Sequence, residues 1–267
     1  MKELLRRSIT GAIYVVLLLG AVFLSSHAFD FLFMAFGLGC LYEYKRLVKL
    51  RGYYIFVAYL ALWWFYIHLV QGGIALHILL GLTLAVDLAL LVFLFSKRPI
   101  RFNGFQKFVM AVFYIGGGFI FLTMIPYTEP AFAKILIMGV FVLIWVNDTF
   151  AFLVGRTLGR TKLYPSVSPK KTIEGSLGGL IFAWVAAFVL SHCDRTLDMA
   201  QWMTLATVIV VTGSLGDLLE SKFKRLAGVK DSGAILPGHG GIWDRLDSLV
   251  YASPFAYLTL NLFSYVS

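Results

Sequence analysis

The sequence predicts an all-α, polytopic membrane protein with about nine transmembrane helices, N-terminus in the cytoplasm and C-terminus outside. Three observations carry this. The 267-residue chain is 60% hydrophobic and 14% charged, with a mean hydropathy of +0.84, which excludes an ordinary soluble domain. Apolar runs of roughly the 17 to 25 residues that cross a hydrocarbon core recur along its length. Of its 23 lysines and arginines, 21 fall at the N-terminus or on alternate connections between those runs, the pattern of the positive-inside rule.

The first run, Ile9–Ala28, follows the basic opening MKELLRR. It has the outline of a signal peptide, but no small-residue cleavage site is evident and further spans follow, so it is expected to remain as the first helix. The second, Phe29–Lys49, loses its apolar character near Tyr42, where Glu43, Lys45 and Arg46 follow. It is expected to leave the bilayer early or to lean on its neighbours. Tyr53–Val70, Gly73–Phe95 and Phe108–Tyr127 come next, then Ala133–Val154, Gly175–His192, Met203–Glu220 and Leu249–Val266. With Lys2, Arg6 and Arg7 inside, only Lys134 and Arg195 fall outside, and an odd number of spans follows.

A single helical membrane domain is expected over 1–267. Residues 1–127 form spans one to five. Residues 128–267 are expected to form spans six to nine, with cytoplasmic loops at 155–174 and 221–247. No fixed repeat, heptad or low-complexity tract divides it. Cys40 and Cys193 match no metal or disulfide spacing and read as packing residues. The net charge of +9 is explained by orientation, not by a nucleic-acid partner.

The external connections are short, while two internal ones, GRTLGRTKLYPSVSPKKTIEG and SKFKRLAGVKDSGAILPGHGGIWDRLDS, are rich in glycine, proline and charge. Function is expected there. Ionisable groups at membrane depth cost several kcal/mol unless paired or hydrated, so each is a candidate. Asp87 lies mid-span with no partner in sequence, and satisfaction by a neighbouring helix is its bland explanation. Asn147 and Asp148, in IWVNDTFAF, are about 100° apart on a helix and can border one cavity; helix–helix hydrogen bonding is the structural alternative. Asp217 and Glu220, at i and i+3 in SLGDLLES, point the same way. Like charges so placed favour a cation between or beside them. Asp244 and Asp247, in WDRLDS, repeat that spacing, although acids in a first turn also suit the helix dipole.

Between these pairs lie Lys222, Lys224, Arg225 and Lys230, and the earlier loop adds Lys170 and Lys171. Juxtamembrane bases often only meet lipid headgroups. SPKKTIEG goes further, with a Ser-Pro turn, two lysines and a threonine directly before a helix whose free amides can hold phosphate oxygens. GRTLGRTK lacks the GK[ST] of a phosphate-binding P-loop, so that reading fails. Glycines 233, 238, 240 and 241 permit close backbone approach or positive φ. His239 among them is open to an acid/base, phosphate-donor or metal role. Carboxylates for a divalent cation and bases for several phosphates, at a bilayer surface, together suggest phosphoryl or nucleotidyl transfer to a lipid.

The stretch SKFKRLAGVKDSGAILPGHGGIWDRLD, with Ser221, Lys224, Arg225, Lys230, Asp231, Gly233, Pro237, His239, Gly240, Gly241, Asp244, Arg245 and Asp247, resembles the signature of phosphatidate cytidylyltransferases. GDLLES, WVNDTFAFLVGR and SPKKTIEG extend the likeness from about Trp145 to the C-terminus. The resemblance implies CTP and phosphatidic acid as substrates, CDP-diacylglycerol and pyrophosphate as products, and Mg²⁺ with K⁺ as a candidate second cation. It implies Asp217 and Asp244 as the metal centre, with Lys224 and Arg225 also catalytic. Asn147, Asp148, Lys170, Lys171, Ser221, Lys230, Asp231, His239, Arg245 and Asp247 would then contact substrate. The partners expected are these substrates and membrane lipids, with a second copy of the chain as a further candidate. The location expected is the plasma (inner) membrane, with the site facing the cytoplasm. A CTP-dependent polyprenol or phytol kinase is the enzymatic alternative. An ion-coupled transporter, with Asp87, Asp148 and Asp217 as a relay, is the alternative from another class.

Overall fold

A computed structural model describes residues 2–70, 73–96, 100–128, 131–193, 196–236, 238 and 240–266. In lipid every backbone N–H and C=O needs an internal partner, and helices supply it. Among the described residues nine helical segments form. They are α1 (Lys2–Leu24), α2 (Ser26–Leu47), α3 (Tyr54–Leu69), α4 (Ile74–Phe95), α5 (Gly104–Tyr127), α6 (Lys134–Thr157), α7 (Ile173–Cys193), α8 (Met199–Leu226) and α9 (Trp243–Val266). Five of them, α4 to α8, are long and apolar enough to cross a membrane, whereas α3 and the apolar part of α1, Thr10–Leu24, are shorter. The protein is therefore of the helical membrane class. Helix starts are set by local chemistry. Reciprocal side-chain and backbone bonds between Asn103 and Gln106 open α5, and the same capping box between Asp198 and Gln201 opens α8.

Two expectations change. The span expected to stop at Glu220 continues as α8 to Leu226, held by a Glu220–Lys224 pair one turn apart. Ser221, Lys224 and Arg225 are therefore helical. The turn expected at Ser168-Pro169 lies at 165–167 instead, between strands β1 (Lys162–Tyr164) and β2 (Ser168–Thr172). These pair antiparallel, with Lys162 opposite Thr172 and Tyr164 opposite Ser168. In a two-stranded ribbon each strand is an edge, so Pro169 is tolerated. Glu174, in the first turn of α7, accepts from the amides of Arg160 (3.1 Å) and Thr161 (3.0 Å), closing the base of the hairpin. Thr172 Oγ1, directly before α7, accepts from Gly175 N at 3.2 Å and caps the start of the helix.

Helices α8 and α9 approach closely because Gly216 has no side chain: a Cβ there would run into the Asp247 carbonyl and Tyr251. That contact brings Asp217 and Glu220 alongside Asp247. Beneath it an aromatic cluster joins the two halves of the chain. Tyr44 of α2 packs edge-on to Phe223 of α8 (5.9 Å between centroids) and to Trp243 of α9 (5.7 Å), while Phe93 of α4 lies 5.2 Å from Phe223. Lys222 reaches across to α4, donating to the carbonyls of Phe93 (2.5 Å), Leu94 (2.9 Å) and Ser96 (2.9 Å). An ammonium has three protons. All three are engaged at the negative end of a helix, so Lys222 acts as a helix cap where the sequence suggested a phosphate-facing base.

Candidate active site

Asp217, Glu220 and Asp247 each offer a carboxylate oxygen within 4.8 Å of the others. Glu220 is fully buried, and its Oε1 has no hydrogen-bond partner among the described residues, while Oε2 lies 2.5 Å from Lys224 Nζ. Asp217 pairs with Lys171 and accepts from Ser221 Oγ at 3.3 Å. Asp247 Oδ1 accepts from Ser248 N at 2.8 Å. Three carboxylates thus face two lysines. This excess of negative charge, with an unpartnered buried oxygen among hard ligands, fits an oxygen-preferring cation such as Mg²⁺.

Asp244 is elsewhere. Its Oδ1 accepts from Lys224 Nζ at 2.6 Å, and its Oδ2 accepts from Ser232 N at 2.8 Å and Gly241 N at 2.7 Å, with Ser232 Oγ 3.0 Å away. It lies in the first turn of α9, ahead of the apolar run from Leu249. Burial works to raise this carboxyl, but the Lys224 ammonium and the Gly241 amide outweigh it and hold Asp244 below the usual carboxylate range. Of the pair expected to hold metal, Asp217 sits in the acid cluster, while Asp244 anchors the loop beside it.

Two cavities flank the cluster. One, of about 440 Å³, is lined by Asn147, Asp148, Arg156, Lys162, Lys170, Lys171, Ser214 and Asp217, so α6, the hairpin and α8 meet there. Asn147 Nδ2 donates to Asp148 Oδ1 at 3.2 Å, and Asn147 Oδ1 is buried without a hydrogen-bond partner among the described residues. As the sequence suggested, both residues border one cavity. The other, of about 340 Å³, lies between α1, α6 and α9. Val15, Ile144, Trp145 and Leu249 form its apolar wall, and Asp148, Asp244, Arg245 and Asp247 its polar end. Asp148 borders both cavities.

The remaining expected residues divide. Arg225 is exposed and donates to Val229 O at 3.2 Å, closing the end of α8. Lys230 and Asp231 are exposed on the loop. His239 and Pro237 lie outside the described residues. Gly238 and Gly240 adopt φ of 79° and 88°, as the glycine-rich run suggested. Asp87 is fully buried on α4, with neither carboxylate oxygen hydrogen-bonded among the described residues. Sequence reasoning assigns no role to Arg156, Lys162 or Tyr14, which line the cavities. It assigns none to Glu43 either, a buried acid of α2 that accepts from Ser232 Oγ, Ile242 N and Trp243 N. The signal for Glu43 was available: an acid directly after an apolar run falls under the rule that singled out Asp87.

Comparison with known proteins gives the family. The chain matches the profile of the Cytidylyltransferase family over residues 5–263. A Bacillus subtilis (strain 168) protein named phosphatidate cytidylyltransferase is 33% identical over 270 residues, covering 99% of this chain and 100% of its own. Proteins of the same name from Staphylococcus haemolyticus (strain JCSC1435) and Staphylococcus aureus (strain COL) are each 40% identical over 62% of this chain and 62% of their own. Matched along nearly its whole length, the chain belongs to the cytidylyltransferase family.

Proposed function

We propose that this protein transfers the cytidylyl group of CTP to phosphatidic acid, forming CDP-diacylglycerol and pyrophosphate. One observation carries the reading beyond family membership: a cation-competent acid cluster lies between a basic cavity and a cavity with an apolar wall, and Asp148 borders both. A triphosphate suits the first, where Lys162, Lys170 and Arg156 offer charge-assisted contacts. The lipid phosphate suits the second, with Arg245 at its polar end and acyl chains along Val15, Ile144 and Trp145. A phosphate oxygen of phosphatidic acid then attacks the α-phosphorus of CTP, and the bond to the β-phosphate oxygen breaks.

Asp217, Glu220 and Asp247 would hold Mg²⁺, which when bound neutralises phosphate charge and orients the oxygens. Lys171, paired with Asp217, is placed to exchange that carboxylate for a phosphate oxygen as the nucleotide enters. Reaction of this kind depends mainly on positioning and charge neutralisation. All nine helices are read as spans, with the N-terminus and the site on the cytoplasmic side of the plasma membrane. The test is purified protein in detergent with CTP, phosphatidic acid and Mg²⁺. The expected products are pyrophosphate and CDP-lipid in equal amounts; release of CDP would indicate a kinase, and no reaction would reject the proposal. Lys170→Ala should raise the apparent KM for CTP by about 10-fold with kcat little changed, as loss of one charge-assisted contact predicts. An unaltered KM would remove Lys170 from the nucleotide site.

A further inference from the structure

Glu43 lies 189 residues before its nearest partner in sequence, on a helix outside the signature stretch. The residue is 1% exposed, yet both carboxylate oxygens are used. Oε1 accepts from Ile242 N at 3.0 Å, and Oε2 accepts from Trp243 N at 2.9 Å and Ser232 Oγ at 2.8 Å. Those two amides open α9, so a negative charge sits where a helix start favours one. A Cβ on Gly233 would collide with this carboxylate, and one on Gly241 with both the carboxylate and Ser232 Oγ. Two glycines of the signature loop are therefore small because Glu43 occupies the space beside them.

The contact continues into the site. Ser232 Oγ lies within hydrogen-bond reach of Glu43 Oε2 and of Asp244 Oδ2. Asp244 holds Lys224, and Lys224 holds Glu220 of the acid cluster. The two ends of the loop are thus fastened to one carboxylate from the N-terminal half.

We propose that Glu43 is a positioning residue for cytidylyl transfer: it fixes the two ends of the loop, at Ser232 and at Ile242 and Trp243, and through Asp244 and Lys224 the orientation of the acid cluster. The proposal rests on the functional reading above. Glutamine keeps the shape of Glu43 but replaces one acceptor oxygen with an NH₂ group. Either orientation sets that group against the amide of Ile242 or of Trp243, and one backbone donor loses its acceptor.

The experiment compares full-length Glu43→Gln with the parent and with Asp30→Asn. Asp30 lies near the other end of α2, where its carboxylate accepts from Tyr127 OH, so its variant reports loss of α2 stability alone. In Glu43→Gln, kcat should fall about 10- to 100-fold, the range for one charge-assisted hydrogen bond. KM for CTP should stay within about twofold, and amide hydrogen exchange over 232–243 should quicken. Asp30→Asn should lower thermal stability with kcat per folded molecule unchanged. A parental kcat in Glu43→Gln, an equal loss in Asp30→Asn, or unchanged exchange over 232–243 overturns the proposal. Should Glu43→Gln fail to fold, Ser232→Ala removes a single donor, and parental kcat and exchange in that variant overturn it equally. An inactive parent would reject the functional reading instead, and the exchange comparison would then decide the role of Glu43.

Discussion

Asp217→Asn is expected to lower the rate of pyrophosphate release by about a thousandfold or more, at the upper end of what removing one charge-stabilising group costs. The substitution preserves volume, and the remaining carbonyl can still accept from Ser221 Oγ, so the fold should persist. What changes is charge. Asp217, Glu220, Asp247 and Asp244 outnumber the two lysines they face, Lys171 and Lys224. Asparagine reduces that excess and leaves Lys171 without its carboxylate partner. Cation affinity should fall with turnover, and Mn²⁺ titration followed by electron paramagnetic resonance reads it without catalysis. Parental turnover together with parental Mn²⁺ affinity would remove Asp217 from the cation site.

The position of Asp217 was legible because its chemistry is local. An i, i+3 pair of acids at the end of an apolar run must face one direction, and the cost of burying both points to a cation whatever the tertiary fold. The same logic applied to Asp244 and Asp247 pairs them too, and here the structure divides them. Asp247 faces α8, because Gly216 lets the two helices touch at that level. Asp244, one turn earlier, turns to the loop, whose amides at Ser232 and Gly241 claim it. Helix periodicity cannot make that distinction, since it depends on where α8 and α9 cross. Lys222 and Lys224 were equally ambiguous: both look like phosphate ligands in sequence, and both are engaged with protein acceptors from distant segments. Helix existence was readable from hydropathy, while the hairpin at 162–172 was hidden because SPKKT carries no alternating apolar pattern.

Asp244→Ala is expected to be the most destabilising single substitution at the site, by about 3 to 5 kcal/mol, the usual cost of removing one partner from a buried ion pair. The Asp244 side chain is 8% exposed and that of Lys224 11%. Truncation leaves Lys224 with Glu220 alone and strips the amides of Ser232 and Gly241 of their acceptor. Because its carboxyl is held below the usual range, the contribution of Asp244 is fully present above ordinary carboxylate pKa values and is lost only as pH falls through its lowered one. The stability loss in Asp244→Ala should therefore be constant across neutral pH, which thermal unfolding in detergent at several pH values can check. Asp244→Asn separates anchor from ligand. As an anchor, it should unfold at lower temperature and keep Mn²⁺ affinity much closer to the parent than Asp217→Asn does. If instead Asp244→Asn unfolds like the parent and loses Mn²⁺ as severely as Asp217→Asn, Asp244 leaves Lys224 when the cation binds and belongs to its ligand set.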